Sequence, residues 1–426
     1  MNTESTIATA VAEESRRRVG RAQRARAVLR YFGPAFVVSV AYIDPGNFAT
    51  NISGGSFFNY NLLWVILWSN LMAIFLQTMS AKLGIVTGRS LPEHCHDLFS
   101  RGTNVALWAA AEVAAMATNL AEFLGGALGF YLLLHIPLSW AGVLTGVVTF
   151  LLVALDRFGQ KVVEFAIALL VGVISVAYVI ELFLARPNWA EVATHTLVPS
   201  LGASSVLIAV AILGATVMPH VVYLHSNLVL ARRRPGAGIE TTRRHLRLEK
   251  IDIALAMNVA FVVNAAMMVV AAAVFFGNGL RIETIEEAHR SLAPLLGSLS
   301  SGAFAVALLA SGLSSSAVGT MAGQVIMKGF LNLKIPPTLT QLITMAPAVV
   351  IIALGINPVK ALIMSQVVLS FALPAAVISL LVVTSRSDVM GQFVSGRWTR
   401  LIGWTIATLI ISLNVVLLWL TLTGRG

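Results

Sequence analysis

Apolar runs of about 20 residues, the length a helix needs to cross the hydrocarbon of a bilayer, recur along the chain with short polar connections between them. Eleven can be drawn, near residues 33–58, 61–86, 103–134, 137–155, 162–184, 202–230, 251–276, 302–330, 338–355, 359–384 and 400–422. The pattern predicts an all-α polytopic membrane protein with eleven transmembrane helices. Two of the runs are interrupted at their middle. In the first, Asp44-Pro45-Gly46-Asn47 stands inside apolar sequence, and a helix cannot pass Pro45-Gly46 with its ladder intact, because proline has no N–H and glycine weakens the turn. In the sixth, the run Gly214 to His220 contains Met218-Pro219, and Pro219 leaves the Ala215 carbonyl, one turn back, without its donor. Freed backbone groups and a carboxylate persist at membrane depth only where they line an enclosed or water-filled space. Broken helices at corresponding places in two halves point to a midplane binding site between inverted repeats. Spans one to five (about 32–185) and six to ten (about 200–385) are read as those halves, with a peripheral eleventh helix at about 400–422.

Composition agrees with this reading. The chain is 57% hydrophobic and 11% charged, against roughly 25% charged in an average soluble domain, and its mean hydropathy is +0.84. A net charge of +10 raises the question of nucleic acid, and the placement of the charges answers it. With the N-terminus inside, 24 of the 29 Lys and Arg fall on the inner side and 5 outside. That split sets the N-terminus in the cytoplasm and the C-terminus outside by the positive-inside rule, and it accounts for the basicity without nucleic acid. Residues 1–31 are polar and Arg-rich, lack the apolar core and cleavage site of a signal peptide, and read as a disordered basic cytoplasmic tail. Residues 32–425 then form one transmembrane domain, expected in a bacterial inner membrane as a monomer. The single cysteine, Cys95, excludes an intramolecular disulfide.

The two breaks offer a carboxylate (Asp44), an amide oxygen (Asn47), a thioether (Met218) and carbonyls such as those of Ala41 and Ala215. Mg²⁺ and Ca²⁺ prefer all-oxygen shells, whereas a thioether suits softer transition metals, so the set fits Mn²⁺, Fe²⁺ or Cd²⁺. Met218 is open to two readings, core packing or ligation, and its place beside Pro219 favours ligation. Asp44 has no basic residue near it in sequence. A bound cation or proton is therefore its expected partner.

The runs DPGNFATNISGG (Asp44 to Gly55), MATNLAEFLG (Met116 to Gly125), GATVMPHVVYLHS (Gly214 to Ser226) and SGLSSSAVGTMAGQVIMKGF (Ser311 to Phe330) resemble the Nramp family of divalent metal transporters. The likeness runs in order from Phe32 to Trp419. It implies a LeuT-like five-plus-five fold with discontinuous first and sixth spans, and uptake of Mn²⁺ or Fe²⁺ as substrate, usually with H⁺ entry and with no cofactor. By position it implies Asp44, Asn47 and Met218 as side-chain ligands, backbone carbonyls at Ala41 or Ala215 depending on state, and Gln366 approaching the metal on occlusion.

Glu112, Asn119 and Glu122 stand at spacings of seven and three in the third span, one face of a helix, and intramembrane acids on one stripe suggest a proton relay or a wet interior. His220, two residues after Met218, is either simply hydrogen-bonded or a member of that relay. The proton pathway is thus drawn through Asp44, Glu112, Asn119, Glu122 and His220. Two departures from the family pattern bear on it: Asn119 stands where an aspartate is usual, and Thr340 and Gln341 where basic residues are common. An amide does not titrate, so a transporter with weak or absent proton coupling is the alternative. A sodium-coupled solute carrier leaves the paired carboxylate and thioether unexplained. A metal sensor would need an output domain, and an enzyme three strong ligands plus a base. No HExxH, Walker loop or strand-borne GxGxxG is present. His94-Cys95-His96 is expected in a solvated loop, the basic stretch 231–250 in a loop against anionic lipid, and the acidic stretch 277–290 in an outer turn.

Overall fold

The computed structural model describes residues 33–154, 160–233, 236, 238–333 and 335–423. The basic tail read at residues 1–31 lies outside the described residues. All regular elements among the described residues are helical. The first interrupted span is a pair, α1 (Pro34–Ala41) and α2 (Pro45–Phe58). Then come α3 (Leu63–Thr87), a short α4 (Leu91–Leu98), α5 (Arg101–Leu134), α6 (Leu138–Ala154), α7 (Gln160–Ala185) and α8 (Trp189–Leu197). The second interrupted span is α9 (Val206–Thr216) and α10 (Pro219–Leu228). It is followed by α11 (Ile239–Val274), α12 (Ile285–Leu296), α13 (Ser298–Leu331), α14 (Pro337–Ala353), α15 (Pro358–Thr384), α16 (Ser387–Met390) and α17 (Arg397–Leu422).

Among the described residues, eight helical stretches are long and apolar enough to cross a membrane, the α9–α10 pair included. Two shorter apolar helices, Leu138–Leu152 and Leu339–Ala353, and the α1–α2 pair make up the eleven spans expected from hydropathy.

The first break is dictated locally. Pro45, four residues after Ala41, has no N–H to give its carbonyl, so α1 ends there. α2 starts on the same proline, which suits a first helical position, with Asp44 as its N-cap. The other freed carbonyls are met from elsewhere in the fold, as buried backbone groups must be. Asn264 of α11 donates to Tyr42 O at 2.6 Å, and Ser311 of α13 donates to Ile43 O at 2.5 Å. At its other end α1 is anchored by Asp252 of α11, whose Oδ2 accepts the amides of Gly33 and Ala35 at 3.0 and 3.2 Å. The second break repeats the arrangement: α9 closes with Val217 N on Leu213 O, and α10 begins at Pro219 with Met218 as N-cap.

These pairs lie inside a cage. α2 packs on α11 and α9; α5 packs on α13 and α15; and α15 packs on α9. α17 lies on the outside of α15 and α9, held by reciprocal bonds between Asn414 and Ser370 at 2.8 Å.

Three stretches differ from the sequence expectation; one is the acidic stretch 277–290, which passes from a turn into α12 at Ile285, capped by Thr284. The basic stretch after α10 is not all loop: α11 begins at Ile239, so its first three turns project beyond the apolar run. There His245, Glu249 and Asp252 form a buried stripe while Arg243, Arg244, Arg247 and Lys250 face outward, an amphipathic pattern that average hydropathy does not register. His94-Cys95-His96 is also not a solvated loop. It lies on α4, whose start is a capping box between Ser90 and Glu93, and Cys95 is fully buried.

Candidate metal-ion site

Asp44 performs two tasks at the start of α2. Its Oδ1 accepts the Asn47 amide at 2.8 Å, capping the helix, and accepts the Asn47 side-chain Nδ2 at 2.9 Å. The same Nδ2 also donates to Ala215 O at 3.2 Å. Asn47 thus ties the first break to the second, and it reaches the carbonyl that Pro219 frees. Two oxygens remain without a hydrogen-bond partner among the described residues: Asp44 Oδ2 and Asn47 Oδ1. Buried acceptors left open in this way need a cation, a proton or a water.

α15 closes the arrangement. A methyl group on Gly46 would overlap the Gln366 side-chain amide, and one on Gly214 would overlap the Gln366 carbonyl. Both glycines therefore permit α15 to press against the two breaks together. Gln366 Nε2 donates to Ser365 Oγ at 3.0 Å, and its Oε1 has no partner among the described residues. Asp44, Ala41, Ala215, Met218 and Gln366 are all 0% exposed and Asn47 is 1% exposed, so the breaks are sealed from both faces. Met218 stands at the second break three residues after Ala215, fully buried.

The third-span residues form a polar seam beside this centre. His220 Nδ1 lies 3.2 Å from Thr118 Oγ1, joining α10 to α5. Asn119 turns its Nδ2 back onto Ala115 O at 2.9 Å. Glu122 is fully buried, with Ser315 of α13 as a polar neighbour and Asp44 within electrostatic range. Gly319 of α13 lies against both Glu122 and Asn119. Glu112 is only partly buried, farther along α5 toward its N-terminal end. Thr340 and Gln341 of α14 are buried and bring no charge.

A second polar chain starts at the first break and was not legible beforehand. The Tyr42 hydroxyl pairs with Gln77 Nε2 at 2.6 Å, Gln77 Oε1 with His225 Nδ1 at 2.9 Å, and His225 Nε2 with Glu249 Oε1 at 3.2 Å. It crosses α3, α10 and α11 and ends near the Asp252 that caps α1. Gln77 was visible only as an isolated polar residue on an apolar span and Glu249 only as one acid in the basic stretch 231–250, and nothing local pairs positions so far apart.

Among the described residues no three His, Cys, Asp or Glu side chains gather as a metal cluster. The histidines of α4 serve structure instead. His94 Nε2 pairs with Thr87 Oγ1 at 2.9 Å and His96 Nδ1 with Phe330 O at 2.7 Å. Burial, with Arg89 beside it, holds the His94 imidazole below the usual histidine range.

Residues 35–420 match the family model described as natural resistance-associated macrophage protein-like, Nramp. The chain belongs to the Nramp family. It is 64% identical over 401 residues to the divalent metal cation transporter MntH of Clostridium acetobutylicum, covering 94% of this chain and 93% of that one. It is 61% identical over 398 residues to the protein of that name from Caldanaerobacter subterraneus, covering 93% and 94%. Among solved structures, the Eremococcus coleocola manganese transporter superposes with a TM-score of 0.83 at 34% identity, over 92% of this chain and 86% of that one. A nucleobase-cation-symport-1 family transporter in a closed conformation superposes with a TM-score of 0.62 at 15% identity, over 91% and 90%. That likeness bears on the fold alone, and this Nramp chain shares the LeuT-like architecture with its paired broken helices.

Proposed function

We propose that this protein is a secondary transporter that carries divalent transition-metal ions, Mn²⁺ and Fe²⁺ and also Cd²⁺, into the cytoplasm by alternating access. Asp44, Asn47 and Met218 hold the ion through side chains, Ala41 and Ala215 through carbonyls, and Gln366 closes over it. The observation that carries this reading is the pair of oxygens without a partner among the described residues, Asp44 Oδ2 and Asn47 Oδ1, at a junction that Asn47 itself bridges to Ala215 O. One anionic oxygen, a few neutral oxygens and a sulfur bind a transition metal weakly enough to release it. The metal is cargo and not a resident cofactor. The N-terminus is cytoplasmic, the C-terminus outside, and the monomer is the transporting unit.

Proton entry accompanies the metal in this reading. Loading metal on a protonated Asp44 displaces its proton, and Glu122, Glu112 and His220 offer a route away from the site. A second reading, uptake with weak or absent proton coupling, is favoured by one observation. The Asn119 amide is bonded back to its own helix and offers no titrating group where the route would pass. Purified protein in vesicles, with metal-sensitive and pH-sensitive dyes inside and the two gradients varied separately, tests both. Metal entry with matched acidification supports symport, metal entry alone supports the second reading, and no metal entry refutes transport.

A further inference from the structure

We propose that Glu181 and Tyr178 of α7 form a proton-binding site, separate from the metal junction, that links closure of the outer gate to protonation from outside. The two residues stand three apart on one face of the helix, in the half of the bundle that the proposed orientation sets outward, and are 1% and 2% exposed. Glu181 Oε1 and the Tyr178 hydroxyl have no hydrogen-bond partner among the described residues, and the two groups lie within electrostatic range of each other. Both border a cavity of about 10 Å³, room for one water between them. The rest of its wall is apolar, from Ile52 of α2, Met267 and Val270 of α11, Leu292 of α12 and Phe304 of α13, and no basic side chain lines it. A carboxylate without a cation is costly to bury in such a place, and one carboxyl with one phenol offers too few oxygens for a divalent ion. The ligand that suits this pair is a proton.

Its position makes it part of a gate. The Tyr178 ring meets Phe48 edge-on with centroids 5.6 Å apart, and Phe48 meets Phe304 in the same manner at 6.1 Å. Phe48 directly follows Asn47, so the three rings sit beside the metal junction. On the outer side α12 lays Ile285, Ala288 and Leu292 inward and is pinned to α13 by His289 Nε2 and Ser301 Oγ, 2.9 Å apart. Admitting an ion past this face requires the rings to part, and that wets Glu181. Opening lets the proton leave; a proton taken from outside restores the neutral acid that closure requires. No other charge competes. α1, α2, the outer part of α11 and the outer part of α13 carry no titrating side chain. On α12, Glu287 accepts the Glu283 amide, Glu286 is half-buried and Arg290 exposed, and none of them lines the cavity. Burial, with His135 and Arg290 beside it, holds the His289 imidazole below the usual histidine range, so this ring meets Ser301 uncharged. The gate role rests on the transport reading, whereas the proton site does not.

Two readouts separate the site from the gate. In metal-free infrared spectra of the purified full-length chain at neutral pH, the protonated-carboxyl band is expected to be smaller in Glu181→Gln than in wild type by one acid group; identical bands overturn the proton site. In vesicles with the inside pH fixed, initial Mn²⁺ uptake is measured against outside pH. The ratio of wild-type to Glu181→Gln rates is expected to fall as outside pH rises, by at most about tenfold per pH unit, the limit for one linked proton. Glutamine stands in for the protonated acid, and any titration at Asp44 is common to both chains and cancels. Glu181→Asp keeps a titrating group and is expected to restore the pH dependence, a rescue that a packing role does not give. His289→Asn keeps a partner for Ser301 and is expected to leave the wild-type profile. A ratio flat within about twofold, far below the one-proton limit, or a profile that follows His289 instead, overturns the link to the gate. Absence of Mn²⁺ uptake by wild type refutes the transport reading and with it the gate, and the infrared spectra then decide the proton site by themselves.

Discussion

Asp44→Asn separates ligation from structure at the first break. Asparagine caps helices as well as aspartate does, so its Oδ1 can keep the contacts to the Asn47 amide and side chain at 2.8 and 2.9 Å. The stability terms nearly cancel. Two charge-assisted bonds become neutral, a loss of roughly 2–3 kcal/mol in all, while the penalty for an acid at mid-membrane, about 2.5–3.5 kcal/mol, disappears. The metal-free Asp44→Asn variant should therefore match wild type within about 1 kcal/mol. Binding is another matter, because an amide N–H₂ now stands where Asp44 Oδ2 lay open. Removing a group that only orients a ligand weakens metal affinity by about 10–100-fold, and losing the one anionic ligand should reach at least the upper figure. At a metal concentration about 100 times the wild-type Kd, wild type gains about 2.7 kcal/mol of stability and the variant about 0.4 kcal/mol. Thermal unfolding with and without Mn²⁺, beside uptake into vesicles, reads both quantities. Metal stabilisation and uptake within about twofold of wild type would refute the assignment of Asp44 as ligand. A metal-free variant that melts far below wild type would show that the carboxylate is structural.

Three further substitutions probe the remaining contacts. Met218→Ala should preserve Mn²⁺ uptake better than Cd²⁺ uptake and let Ca²⁺ or Mg²⁺ compete, since a soft ligand is lost; unchanged selectivity in a competition assay would make the sulfur a packing group. Gly214→Ala drives a methyl into the Gln366 carbonyl, so α9 and α15 must separate, with a stability loss of about 1–3 kcal/mol and slower uptake; a variant with wild-type melting and flux would contradict the close approach. Asn119→Asp restores a titrating group beside Glu122, and dye-reported proton flux per metal should rise. An unaltered ratio and pH profile would remove this position from any proton route.

The two breaks were legible before any fold was known because their cause is covalent and local. Pro45 and Pro219 each lack the N–H that the residue four places earlier requires, which singles out the carbonyls of Ala41 and Ala215. The spans were legible for a similar reason, since each must be apolar over its own length. Tertiary packing decided which polar groups meet. Gln366 reaches both breaks because Gly46 and Gly214 have no side chains in its way, a fact about surfaces far apart in the chain. Tyr42, Gln77, His225 and Glu249 form one chain though they come from the first break and three separate helices. Hydropathy also missed the first turns of α11 and the burial of α4, because an amphipathic helix that hides one stripe has the same average polarity as a loop. Periodicity and missing donors act within a few residues. Contacts between distant helices depend on how every intervening surface fits, and only the folded chain expresses that sum.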